Sequence, residues 1–238
     1  MFGIERRAVA QESTVRNRLR TPRSAAIAGI LFSLLLMISI VLLKLSIASN
    51  AADAGKWLVE GGHRISVTIA VNLIPFAGIA FLWFIGVVRY RLGEREDRFF
   101  STVFLGSGLL FIAMLFASTA VAIGLIASFH AAPEKAVDSE IWTLGRNTTF
   151  ALLNVFAMRM SAVLMISTYA IALRTRVINR WLAYAGLAIA LALLVNANFV
   201  TYISLLFPLW ILVVSVDILV KNLKEGGVQP GTSNDSGS

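Results

Sequence analysis

The 238-residue chain contains no cysteine, two histidines, five prolines and only 14% charged residues. Without cysteine there is no disulfide framework, no thiolate metal centre and no quinone-linked disulfide chemistry. Soluble domains carry about 25% charge. So large a deficit, together with 58% hydrophobic residues and a mean hydropathy of +0.79, excludes a soluble globular fold and a disordered chain. What is present instead is apolar sequence in long blocks, at 24–43, 65–88, 99–129, 147–173 and 181–220. Roughly 20 apolar residues in helical form cross the hydrocarbon, because backbone polar groups there must be satisfied within the segment. The last block is about twice that length, and Asn196-Ala197-Asn198 divides it. It reads as a hairpin of two helices, 181–197 and 201–220, with a tight turn at 196–201. The expected fold class is therefore all-α, a polytopic membrane bundle of six transmembrane helices.

The formal charge of +8 resembles a nucleic-acid footprint only until its distribution is read. Arginines 6, 7, 16, 18, 20 and 23 precede the first block, 89, 91, 95 and 98 follow the second, and 174, 176 and 180 follow the fourth. Lys221 and Lys224 follow the last, while the alternate side holds only Lys44, Lys56, Arg64, Lys135 and Arg146. Fifteen against five is the bias of the positive-inside rule, which places both termini in the cytoplasm. The basic excess points to anionic lipids at the cytoplasmic face as a partner, and not to nucleic acid.

The expected organisation is a basic cytoplasmic arm at 1–23, a six-helix domain at 24–224 and a disordered tail at 225–238, rich in glycine, serine and other turn residues. The arm, which mixes arginine with Phe2, Ile4, Val9, Val15 and Leu19, reads either as a surface helix or as a flexible basic anchor. The first block is too long for a signal-peptide core, although Ala51-Ala52-Asp53-Ala54 leaves a cleaved, five-span form as the alternative. The external loops 44–64 and 130–146 are short. Asn147-Thr148-Thr149 is a glycosylation triplet that matters only in a secretory-pathway host. Small residues recur at helical spacing, as Ala25, Gly29 and Ser33 in the first span and as Ala113, Ala117, Ala120, Gly124 and Ala127 in the third. Such stripes let helix backbones approach closely and are read as packing faces.

The segment RTRVINRWLAYAGLAIALALL (174–194), then FPLWILVVSVDILVKNLKE (207–225) and TPRSAAIAGILFSLLL (21–36), resemble a bacterial family of uncharacterised membrane proteins with six or seven helices. The resemblance covers about a third of the chain. It implies a multi-pass bundle in the bacterial inner (cytoplasmic) membrane and carries over no catalytic residue. Where the family commonly has proline before Arg180-Trp181, this chain has Asn179.

Ionisable residues within spans cost free energy and usually have a reason. Two qualify, Arg159 and Asp217. Asp217 is near the cytoplasmic end of the last span and reads as a solvated cap or a partner for Lys221 at i+4. Arg159 is too central to snorkel, and a mid-helix arginine costs about +2.5 to +3.5 kcal/mol on insertion scales. Asn72, Asn154, Ser118 and Thr119 lie at comparable depths in the outer half, with Ser33 a further possibility. Pro75 removes the hydrogen bond to the Val71 carbonyl, so the second helix is expected to open beside Asn72. One geometric objection stands. On a regular helix Arg159 points about 140° from Asn154 and about 160° from Ser161, so a shared cavity requires a helix irregularity.

The ligand-binding hypothesis is Arg159 with Asn72, Asn154, Ser118 and Thr119 around an anionic group. The competing reading is an arginine satisfied by Asn, Ser and freed carbonyls. The heptad Asn154, Ser161 and Thr168 is read as interhelical glue. His63 and His130, with Glu60 and Glu134 nearby in sequence, are weak metal candidates, because three or four convergent ligands are needed. No cofactor is expected, since no histidine lies within a span to hold haem. Ser107 in LGSGLL has no membrane base to activate it, so catalysis ranks last. Two functions remain open: a protein that binds or transports an anionic or amphipathic small molecule, and a non-catalytic structural or accessory subunit joined to a membrane-protein partner or a second copy of itself.

Overall fold

The computed structural model describes residues 23–43, 61–92, 98–131, 140–175, 179–196 and 203–226, and all of them form helix or its immediate flanks. The basic arm, the 196–201 turn beyond Asn196 and almost all of the tail lie outside the described residues. Helix α1 is Arg23–Leu43, α2 is Gly61–Leu92 and α3 is Arg98–Ala131. Helix α4 is a continuous helical stretch in three parts: Glu140–Phe150, a π-helical segment Ala151–Ala157, and Met158–Thr175. Helix α5 is Arg180–Asn196. A single 3₁₀ turn, Ile203–Leu205, then leads into α6, Leu206–Gly226.

Five helices are long and apolar enough to cross a membrane: α1, α2, α3, α4 and α6. At 17 residues, α5 spans about 25 Å against about 30 Å of hydrocarbon. It ends at Asn196, where the sequence divides the last apolar block. Asn179 has a clear local role. Its Oδ1 accepts from the Trp181 backbone N–H at 3.3 Å and its carbonyl from Ala183 N–H at 3.1 Å, as an N-cap does. One boundary differs clearly from expectation. Helix α4 begins at Glu140, inside the segment read as an external loop, and an acidic first turn suits the helix dipole there. Helix α2 runs through Pro75 without a break in its α-helical course.

The middle of the bundle is aromatic. Phe32 of α1, Phe81 of α2, Phe111 of α3 and Phe207 of α6 are all fully buried. Their ring centroids lie 4.4 Å apart for Phe32–Phe81, 5.3 Å for Phe81–Phe111 and 5.0 Å for Phe111–Phe207, mostly edge-on or tilted. Such pairs hold four helices at one level.

Register follows from which residues meet. Phe32 meets Phe81 and Phe207, while Gly29, one turn earlier, sits against Phe84 and Ser215. Helix α1 is therefore antiparallel to both α2 and α6, and its N-terminal end shares one end of the bundle with the C-terminal end of α6. Helices α2 and α3 are antiparallel too, since Gly78 faces Phe116 and Gly108 faces Ile85. At the α5–α6 contact, Trp210 covers Gly186, where an added Cβ would stand 2.7 Å from the ring. The Trp210 indole N–H donates to the Leu182 carbonyl at 3.1 Å.

The two small-residue stripes differ. Ala25, Gly29 and Ser33 are buried, Gly29 against Phe84 of α2 and Ser215 of α6. Ala113, Ala120, Gly124 and Ala127 of α3 are exposed and Ala117 is half-buried. A Cβ on Gly124 would meet nothing within 4 Å. Among the described residues the α3 stripe is not a packing face, because α3 packs through the bulkier Phe104, Phe111, Ile112 and Leu115 on its other side.

Candidate functional site: Arg159 beyond the π segment of α4

The expected polar residues separate into those that are already satisfied and those that are not. A hydroxyl within hydrocarbon finds its nearest acceptor on its own helix, three or four residues back. Ser33 donates to the Gly29 carbonyl at 2.8 Å, Thr119 to Leu115 at 2.8 Å, Ser161 to Met158 at 2.7 Å and Thr168 to Leu164 at 2.8 Å. The heptad Asn154, Ser161 and Thr168 therefore bonds along α4 instead of gluing helices together. Asn72 is exposed on the outward side of α2, its amide donating to the Thr68 carbonyl at 2.8 Å. It does not join the others.

Ser118 is different. Its hydroxyl crosses from α3 to the Thr149 carbonyl of α4 at 3.0 Å, two residues before the π segment. Close by, an added Cβ at Gly145 would collide with Leu125, so α3 and α4 approach closely on this stretch. The Thr149 hydroxyl oxygen is buried without a hydrogen-bond partner among the described residues.

The π segment Ala151–Ala157 supplies the irregularity that a shared site requires. Its i→i+5 bonding winds more residues into each turn than α-helix, so each residue turns the chain less and the 140° offset between Asn154 and Arg159 shrinks. Both side chains are half-buried. They make no hydrogen bond to each other. The Asn154 amide donates to the Phe150 carbonyl at 3.3 Å, and Arg159 Nη1 donates to Val155 at 3.4 Å. Both bonds are long.

Beyond the π segment the inner face of α4 carries Met158, Ser161, Ala162, Leu164, Met165 and Thr168, all buried. Thr168, nine residues on, points about 180° away from Arg159. Arg159 therefore occupies the outward flank of α4, in the row of half-buried Val155, Val163 and Ile166. It stands about 24 Å from Thr143 and about 21 Å from Leu173, the ends of the apolar stretch. A guanidinium has five N–H donors. Among the described residues this one makes a single 3.4 Å bond and meets no carboxylate. Asp217 is taken by Lys221 at 2.7 Å, i to i+4 within α6.

Four of the five anticipated residues thus fall into separate settings: Asn72 outside, Ser118 bridging α3 to α4, Thr119 bonded within α3, and Asn154 beside Arg159 in sequence but bonded to its own helix. The side chains of His63 and His130 lie outside the described residues, and no group of three or more metal-ligating side chains occurs among those described. Thr149, Val155 and the π segment itself were not anticipated. The angular conflict between Asn154 and Arg159 was the available signal for the last of these. Comparison with protein-family models, with curated proteins and with solved structures finds no match to the chain.

Proposed function

We propose that this chain is a six-span protein of the bacterial inner membrane, with both termini cytoplasmic, that holds an anionic or amphipathic small molecule at Arg159 without catalysing a reaction on it. The observation that carries the binding role is the guanidinium itself: half-buried near the middle of its span, with one long hydrogen bond to its own backbone. A cation in that position is expensive unless an anion compensates it. Support for six crossings comes from the antiparallel pairing of α1 with α6. Gly108 lies beside Leu164 and Ser118 beside Thr149, so α4 runs against α3 and in the same sense as α2 and α6, which favours α5 as the segment that returns the chain between them. The arginine bias supports the orientation. The close-packed aromatic centre favours binding on the α4 flank over passage through the middle of the bundle.

The test is binding of a fluorescent anionic amphiphile to the purified chain in zwitterionic nanodiscs. Saturable binding lost in a folded Arg159→Gln protein is the expected result. Binding that is unchanged in that variant overturns the reading.

One observation favours a second reading, a structural or accessory subunit: the outward stripe Ala113, Ala120, Gly124 and Ala127 on α3. Small residues facing out of a bundle suit close approach by another transmembrane helix, from a partner or a second copy. Recovery of a stoichiometric partner whose cross-links map to α3 supports that reading, and a monomer without partners under mild extraction removes it.

A further inference from the structure

We infer that the anion held by Arg159 is the carboxylate of an apolar monocarboxylic acid, whose hydrocarbon tail lies along the outward flank of α4. This rests on the reading of Arg159 as an anion anchor and narrows it to one chemical class by depth, charge and shape.

Depth comes first. Arg159 lies about 24 Å and about 21 Å from the two ends of its apolar stretch, close to the midplane. A phospholipid phosphate sits outside the hydrocarbon, about 15 Å from the middle of a 30 Å core. The anion must therefore belong to a molecule that itself enters the apolar layer.

Charge comes second. Among the described residues the guanidinium is the only cation at this level of α4, with Arg146 more than three turns earlier in the helix. A monoanion makes a pair with no net charge. A phosphate monoester carries about −1.5 to −2 at neutral pH and leaves uncompensated charge in a medium where that is costly.

Shape comes third. The guanidinium is a planar fork whose paired N–H groups match the two oxygens of a carboxylate. Its single bond to Val155, at 3.4 Å, leaves such a pair of donors free to turn outward. The surface on either side is apolar. Val155, Val163 and Ile166 line the same flank half-buried, and Phe156 is exposed beside them. These side chains give an alkyl tail continuous contact and offer nothing to a polar one.

The experiment uses the full chain in phosphatidylcholine nanodiscs with dodecanoic acid labelled with ¹³C at its carboxyl, with dodecyl phosphate and dodecanol as comparison probes. The expected result is saturable binding of dodecanoate, with the bound carboxyl titrating at lower pH than the same acid in protein-free nanodiscs. Dodecanol should bind at least about tenfold more weakly, as loss of a charge-assisted hydrogen-bonded pair implies, and dodecyl phosphate should also bind at least about tenfold more weakly, because its further charge stays uncompensated. Arg159→Gln should weaken dodecanoate by at least about tenfold, and Arg159→Lys, which keeps the charge and loses the fork, should fall between. If Arg159→Gln does not fold, the titration of the wild-type complex decides alone: a carboxyl that titrates as in protein-free nanodiscs overturns the proposal. If dodecyl phosphate binds through Arg159 and dodecanoate does not, the carboxylate assignment fails while the anion site stands. If neither probe depends on Arg159 in folded protein, both fail. That last outcome includes an Arg159 already occupied by an acidic side chain of a partner helix.

Discussion

Helices α1 and α3 carry small residues at the same helical spacing and use them in opposite ways. In α1 the small side, Ala25, Gly29 and Ser33, faces the core, while Ile27, Leu31, Leu34 and Ile38 face out. In α3 the large side, Phe104, Phe111, Ile112 and Leu115, faces the core, while Ala113, Ala120, Gly124 and Ala127 face out. Lipid is as apolar as leucine, so hydrophobicity does not choose between these arrangements, and packing does. Helix α1 fits into a place where Phe84 and Ser215 already crowd its glycine. Helix α3 supplies the bulk that fills the centre. A repeat of small residues thus marks a face that allows close approach, without saying whether this chain or another occupies it.

The contrast can be broken at several points. The largest loss is expected from Phe81→Ala, which removes the ring that touches Phe32, Phe111 and Phe207. Stability in detergent, followed by chemical unfolding, should fall by about 3–5 kcal/mol. Gly29→Leu, which drives side-chain atoms into Ser215 and Phe84, should cost about 1–3 kcal/mol in the same assay. Ser118→Ala removes a hydrogen bond between α3 and α4, and polar contacts of this kind in membranes average about 0.6 kcal/mol. Asp217→Asn, which breaks a half-buried i,i+4 pair within one helix turn, should shift stability by no more than about 0.5 kcal/mol. Gly124→Leu, on the outward stripe with open space around it, should stay within about 0.5 kcal/mol of wild type. If Gly124→Leu leaves monomer stability intact but dissolves an assembly, the α3 stripe belongs to a partner. If it destabilises the monomer as Gly29→Leu does, the distinction between the stripes is wrong.

What the sequence made legible was whatever a single helix decides. Block length gave an all-helical membrane chain and a division at Asn196, although of the six spans read only five are helices long and apolar enough to cross, and the i,i+4 spacing anticipated the Asp217–Lys221 pair. What it left open depends on neighbours. Rotation of α3 about its axis is set by which helices it meets, so its stripe could be read as a packing face without saying what packs there. The convergence of Asn72 with Arg159 assumed that similar depth means a similar facing, and Asn72 faces out. The boundary at Glu140 was missed because the helix continues through polar sequence that hydropathy counts as loop. The π segment lies between these cases: no residue in ALLNVFA announces it, yet the mismatch of Asn154 and Arg159 on a regular helix was the condition it meets.

The most direct test of the account is the facing of Arg159. The chain has no native cysteine, so single cysteines at 159, 163 and 166 and at 161, 165 and 168 can each carry a nitroxide label in a bilayer. Collision with dissolved oxygen, which concentrates in lipid, then reports which side of α4 faces out. The account predicts high accessibility at 159, 163 and 166 and low accessibility at 161, 165 and 168. Low accessibility at 159, alongside labels at 161, 165 and 168 that collide freely, would place the arginine inside the bundle and contradict the anion site on the α4 flank.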